Sequence, residues 1–227
     1  MILLLSIPFV MQGQTSIKCS TSEINKKYFE EHPEAKKERE WLNKKSRLAE
    51  FNKTAVSTSI TIPIVFHVND ATNPQKVTLA QVQSAVDILN EDYNGLNPEF
   101  NSLRPEFQNI ASNLEINFCL ASIDPDGNST NGITYHYNSF NGREPNGSGG
   151  AVKGVSVWPC DKYLNVWIVN EVEDDGDLYY SGWAFYPSTS LADQGLDGMV
   201  KDLLMFQDLL LGRQKWQEYL PMKLGII

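Results

Sequence analysis

Three histidines, His32, His67 and His136, are all the imidazoles in this 227-residue chain, and no two stand at i and i+4. A zinc hydrolase built on a helix needs that spacing. It turns both rings toward one ion, with a glutamate between them to polarise the bound water. His67 alternates with Val65 in an apolar run and reads as a partly buried strand residue. His136, between Tyr135 and Tyr137, reads as a surface strand residue, and His32, before a proline in a charged stretch, as exposed. A composite metal site of His67, His136 and an aspartate is the lesser alternative. Calcium has two candidate places. Asp124, Asp126 and Asn128 alternate in a glycine-containing loop, but the loop lacks the closing glutamate of an EF-hand and a β-turn is the simpler reading. Glu171, Glu173, Asp174, Asp175 and Asp177 form an acidic cluster whose default is a solvated loop. Nucleophile schemes lack their motifs: there is no G-x-S-x-G, and Gly147-Ser148-Gly149-Gly150 follows no strand and has no phosphate-loop lysine. The cysteines number three, an odd count. Cys119 lies in a strand-like run and Cys160 just before another. They pair as a disulfide if those strands adjoin, or stay two buried small side chains. Cys19 stands alone.

The elements that must position these residues follow from periodicity. Thr15 to Asn52 is polar and helix-prone, broken at His32-Pro33, and Pro33 suits the first turn of a helix over Glu34 to Phe51. That helix has a thin apolar stripe of Trp41, Leu42, Leu48 and Phe51, and Thr54 to Ser59 reads as a linker. Ile60 to Val68 alternates as a strand, and Pro63 predicts an early or edge position. Thr78 caps a helix from Leu79 to Tyr93 with the apolar face Leu79, Val82, Val86 and Leu89, ended by Gly95. Leu114 to Ala121, Thr134 to Tyr137, Leu164 to Val169 and Gly182 to Tyr186 read as strands. Asn138 to Gly154 reads as a loop. This order predicts an α+β fold: a mixed, twisted sheet with one long early helix.

A formal charge of −9, from 28 acidic against 19 basic residues, argues against a nucleic-acid partner. The basic residues between Lys26 and Lys53 are interleaved with glutamates, as on a solvated helix face. Met1 to Met11 is apolar but too short to span a bilayer, and reads as the core of a secretory signal over residues 1–14, although its start lacks a Lys or Arg. No other segment is apolar enough for stable membrane insertion, so the expected destination is extracellular. Oligomeric state leaves no mark in the sequence.

Several blocks together carry a resemblance. They are Ile62-Pro63-Ile64-Val65-Phe66-His67-Val68, Ile88-Leu89-Asn90-Glu91-Asp92-Tyr93, and Ile116-Asn117-Phe118-Cys119-Leu120-Ala121 with its continuation to Ile133. Tyr163-Leu164-Asn165-Val166-Trp167, Gly182-Trp183-Ala184-Phe185-Tyr186-Pro187 and Asp197-Gly198-Met199-Val200 complete the set. In order and spacing they resemble the pappalysin (pregnancy-associated plasma protein-A-like) zinc metalloproteases, in the cytophagalysin- and ulilysin-like branch of the metzincins. The resemblance covers about 140 of the 227 residues. It implies a partial catalytic domain over residues 54–200, the upper subdomain, preceded by a pro-segment-like helical region over 15–53. Peptide or protein substrates and a catalytic zinc are implied for the intact relative. It also implies that Gly182 to Phe185 is the edge strand above the cleft, with Trp183, Ala184 and Phe185 on the substrate side. Lys18-Cys19-Ser20-Thr21 resembles the stretch whose thiol caps the zinc in the family's latent form, with Lys18 and Ser20 departing from the Arg and Gly of that pattern. Cys19 would serve so only beside a zinc site.

After Val200 the family continues into H-E-x-x-H-x-x-G-x-x-H, whereas Lys201 to Ile227 is unrelated to it. Residues 201–227 therefore read as an aberrant tail, with the zinc helix and lower subdomain absent, no catalytic residue, no zinc expected in this chain and one sheet face left bare. A one-nucleotide change of frame near Val200 or Lys201 is one explanation. Across Leu220 to Ile226 the displaced frame can spell Thr-His-Glu-Ile-Gly-His-Tyr, of which only the Glu is forced by the code. The reading is a truncated secreted zinc metalloendopeptidase. The alternative is a secreted, non-catalytic binding module whose tail packs on the sheet through Leu203, Phe206 and Leu210.

Overall fold

Alternating apolar residues build the sheet, and two helical layers cover it. The computed structural model describes residues 19–50, 59–140, 150–172, 180–204 and 206. The signal-like start, most of the acidic cluster, Phe51 and Leu210 lie outside them. Two helices open the described chain, α1 (Thr21–Glu31) and α2 (Pro33–Glu50), parted at His32 as the proline requires. Next come β1 (Ile60–Asn69), α3 (Leu79–Tyr93), the single turn α4 (Pro105–Gln108), β2 (Ile116–Leu120) and β3 (Ile133–His136). Then follow α5 (Gly150–Gly154), β4 (Leu164–Val169), β5 (Gly182–Ala184), α6 (Thr189–Asp193) and β6 (Met199–Asp202).

The six strands run in the order β2-β1-β4-β6-β5, with β3 also on β1. Every pairing is parallel except that of β5 with β6. β1 is central, which corrects the edge position predicted from Pro63. The proline is tolerated for a local reason. Ile60 N–H bonds Glu115 O and Phe66 N–H bonds Gly132 O, so even-numbered residues of β1 serve β2 and β3. Pro63 therefore faces the β4 side, where pairing begins only at Ile64 with Leu164.

Alternation along β4 divides two cores. Val166 and Ile168 join Ile64, Phe66, Val82, Val86 and Leu89 under α3. Trp167 and Val169 join Ile24, Tyr28, Val152, Trp183, Phe185 and Leu191 on the other face, under α1, α5 and α6. Both faces are thus covered. Leu203 and Phe206 complete the α3-side core, Phe206 with its ring 6.0 Å from that of Phe66. The expected bare face is corrected on this point, because residues past Val200 fill it. β6 itself runs on through Lys201 and Asp202, both buried, so Val200 is not a structural boundary.

α3 forms where the sequence placed it. Thr78 Oγ1 accepts from Gln81 N–H while the Gln81 side chain returns to Thr78 N–H, a capping box. At the far end Gly95 takes φ +63°, which ends the helix. Gly198, at φ +114°, leads into β6, and a Cβ there would strike the Asn165 carbonyl and the Trp167 ring.

Candidate functional site

β5 is short, antiparallel to its one partner, and lies at the end of the sheet order. Gly182 pairs with Lys201, Trp183 with Val200 and Ala184 with Met199. Side chains alternate across the sheet, so Trp183 and Phe185 sink into the core beneath α1 and α6 while Ala184 enters the α3-side core. All three are buried. Of the substrate-side trio predicted from the sequence, none presents a side chain to a partner. The outward groups are main-chain ones, belonging to Gly182, Ala184 and Tyr186.

α1 meets those groups. Ser20 N–H donates to Gly182 O at 3.3 Å, and Ala184 N–H donates to Thr21 Oγ1 at 3.1 Å. Asn25 Nδ2 donates to Ala184 O at 2.8 Å, and Asn25 Oδ1 accepts from Tyr186 N–H at 2.8 Å. Ser20, Thr21 and Asn25 are all buried by the contact. Tyr28 packs its ring 4.9 Å from Phe185. α2 adds a second hold. Glu38 accepts from both the N–H and the hydroxyl of Thr189 at the start of α6, bonds that pull its carboxyl below the ordinary range, and Arg39 lies 4.8 Å over the Tyr186 ring. Sequence reasoning missed Thr21 and Asn25. Their signal is spacing, since Thr21, Asn25 and Tyr28 share the helical face that includes Ile24, and a polar amide on an apolar face needs a partner.

Cys19, proposed as a zinc-capping thiol, sits exposed just ahead of α1 with Sγ 3.1 Å from Thr21 Oγ1. The described residues hold no group of three His, Cys, Asp or Glu that could bind a metal. The histidines explain why. His67 is fully buried, its ring stacked on Trp167 at 5.4 Å, so it is more deeply placed than the predicted partly buried strand residue. Nε2 lies 2.9 Å from Asn165 Oδ1, which can only accept, so that nitrogen carries the proton. Nδ1 then accepts from Thr134 Oγ1 at 2.8 Å, and Thr134 Oγ1 lies 2.8 Å from His136 Nε2. Burial pushes His67 down to about 4, and His136 adds to the effect while Asn165 opposes it. His136 is half-buried, not a surface residue. His32 pairs with Glu34. No imidazole lone pair of His67 is left to bind an ion, so these residues do not fit a zinc site.

The remaining candidates resolve locally. Cys119 and Cys160 are free thiols, which corrects the possible disulfide. Cys119 is paired across from Pro63 on one side of β1, and Cys160 precedes β4 on the other. Cys119 is exposed, not buried. Asp124 accepts from the N–H groups of Asp126 and Asn128 and from the Asn128 side chain, which is the plain turn that was predicted. Lys153 was not foreseen at all, because its segment reads as loop. It is completely buried on α5, with Nζ donating to Leu196 O at 2.5 Å and Gly198 O at 3.4 Å. The rings of Trp167, Trp183 and Phe185 surround it at 5.2, 4.4 and 4.9 Å. Burial lowers it to about 7, against the pull of Asp197 and Cys160.

Comparison with known proteins assigns a class to this fold. The structure is similar to that of mature mirolysin from Tannerella forsythia solved with a cleaved peptide, with 31% identity over 64% of this chain and 53% of that one and a TM-score of 0.54. Mirolysin bound to a small compound gives 30% identity, the same coverage and a TM-score of 0.54. Promirolysin from the same organism gives 28% identity over 79% of this chain and 57% of that one, with a TM-score of 0.60. The chain thus spans little more than half the length of these solved relatives. The fold is that of the N-terminal part of a metzincin-type metalloprotease domain.

The particular family agrees. The pregnancy-associated plasma protein-A peptidase family matches residues 151–207. The chain is pappalysin-like in both sequence pattern and fold. The match reaches seven residues past Val200, so Lys201 to Gln207 are family-like and the tail predicted to start at 201 is not unrelated from its first residue. No curated protein matched significantly.

Proposed function

We propose that this chain is the upper part of an exported, pappalysin-like zinc metalloendopeptidase, in which the outer edge of β5 is the strand that aligns an extended peptide. The carrying observation is the position of β5. It is the antiparallel end strand of an otherwise parallel sheet, with the peptide groups of Gly182, Ala184 and Tyr186 turned outward. Such an edge recognises a peptide main chain through its hydrogen bonds. The cleaved peptide in mature mirolysin supports a peptide ligand by similarity.

Residues 15–53 act on this reading as a pro-segment. The zymogen form of mirolysin covers more of this chain than the mature form does, which supports that assignment. Residues 1–14 serve as the export signal. The 227 residues by themselves do not hydrolyse peptides by the zinc route, because they contain no His pair at i and i+4. Past the family-like stretch the reading frame has slipped by one nucleotide. The test is to sequence the coding DNA beyond codon 207 and restore the displaced frame. The restored product should cleave casein in a chelator-sensitive manner, and a displaced frame without H-E-x-x-H would sink the frameshift. The packing of Leu203 and Phe206 favours a second reading, a secreted binding module that pairs with peptides without cutting them. It would show as casein binding by the 227-residue chain together with no gain of cleavage from any downstream frame.

A further inference from the structure

We infer that Asn90 and Asn94 close the outer edge of β2 against a second copy of this chain: they occupy the main-chain groups through which two β2 strands would pair. β2 stands at the end of the sheet order opposite β5. The odd-numbered residues of its segment serve β1, since Glu115 O accepts from Ile60 N–H and Ala121 N–H donates to Ile64 O. Ile116, Phe118 and Leu120 therefore turn their N–H and C=O groups outward. α3 meets them there. Phe118 N–H donates to Asn90 Oδ1 at 2.7 Å, and Asn90 Nδ2 donates to Phe118 O at 2.9 Å. Asn94 Nδ2 donates to Ile116 O at 3.2 Å. In an antiparallel ladder two facing residues exchange both of their N–H···O bonds. The Asn90 carboxamide makes the same exchange from one side chain. Its orientation is fixed by its partners, because Phe118 N–H can only donate and Phe118 O only accept. Leu120 follows, and a single residue is too short to pair as a strand.

Packing of α3 does not require these bonds. Val82, Val86 and Leu89 already bury the helix on the sheet, and Tyr93 sets its ring 4.9 Å from that of Phe118. Asn90 and Asn94 stand one turn apart beside that face, and Asn94 Nδ2 also reaches Asn90 O at 3.0 Å, which ties the two side chains' positions together. The strand itself shows why a guard matters. Ile116-Asn117-Phe118-Cys119-Leu120 contains no charge, no proline and no glycine. That is the composition that pairs readily when an edge is bare, and the usual shields of an edge strand, a lysine or a proline, are missing from it. The partner that fits is another β2, because two identical edges laid antiparallel complete each other about a two-fold axis.

The experiment compares the full chain with its Asn90→Ala variant. Sedimentation velocity reads size over a range of protein concentration, and hydrogen exchange reads the Phe118 amide at the two ends of that range. In the native chain Phe118 should stay protected throughout. In the variant at low concentration its exchange should speed by at least about tenfold, while the amides of β4 stay protected. At high concentration the variant should associate and regain protection at Phe118. Unchanged exchange at Phe118 would overturn the closure. An opened amide on a variant that sediments like the native chain at every concentration would overturn the pairing, as would association that leaves Phe118 exchanging freely. If Asn90→Ala does not fold, Asn90→Leu gives the same readouts, because it fills the space of the carboxamide without its polar atoms. None of these outcomes touches β5, whose edge lies at the other end of the sheet.

Discussion

His67 holds its place as a neutral ring. It donates to Asn165, accepts from Thr134 and lies flat on Trp167, so protonation would put a second N–H against the Thr134 hydroxyl in a site closed to water. Burial lowers its pKa from the ordinary 6.5 to about 4. The unfolded chain therefore binds this proton more readily than the folded one. Stability is complete above about pH 6.5 and falls as pH drops toward 4, a loss on the order of 3 kcal/mol from this ring. Urea midpoints measured across that window should decline in the native chain, and His67→Gln should flatten the decline. A variant that keeps the native pH profile would show that other groups govern it. Lys153 makes the opposite end of the scale informative. With its pKa lowered from 10.5 to about 7 by burial, the folded state binds fewer protons than the unfolded between those values. Stability should climb as pH rises from 7 toward 10.5, and Lys153→Met should remove that climb. Neither residue was legible as what it is. His67 was read correctly as structural, but its depth depends on Asn165 and Trp167, far away in the chain, and Lys153 sits in a segment whose glycines signal only loop.

Individual elements were legible to the degree that local chemistry fixes them. Leu79 to Tyr93 carries its own cap, face and stop, and the helix occupies those residues. Leu164 to Val169 is apolar but for Asn165 and is the strand buried on both faces. Thr78→Ala should lower stability by about 1 kcal/mol, seen as a shifted urea midpoint with an unchanged slope. A shift near zero would mean that tertiary packing alone holds α3. The short elements α5, α6 and β6 escaped notice because one or two turns and four residues carry too little periodicity. They exist through partners: Ser188 caps α6, and β6 is ordered by β4 and β5 on either side. Gly198 is the sharper local case. Gly198→Ala adds both a disfavoured φ and a clash with Asn165, so it should fail to give folded soluble protein; a variant with native stability would mean that the turn into β6 relaxes freely. Pro63 shows the limit of a local rule. Its missing N–H excludes a paired position, not a central strand.

At the scale of the whole molecule, the family was legible because its blocks are dispersed over the sheet in a fixed order. The site was less so. The edge strand was located by resemblance, yet its outward groups are main-chain atoms that no residue type announces, and the residues of α1 that cover them lie 159 to 163 positions earlier in the chain. What the sequence states outright is the inventory of imidazoles, and the structure spends that of His67 entirely on Asn165 and Thr134. Purified 227-residue protein, incubated with zinc and casein with and without a chelator, puts this to the most direct test. The predicted result is intact casein and no stoichiometric zinc on the protein. Casein cut to fragments, with the cutting stopped by the chelator, would contradict it.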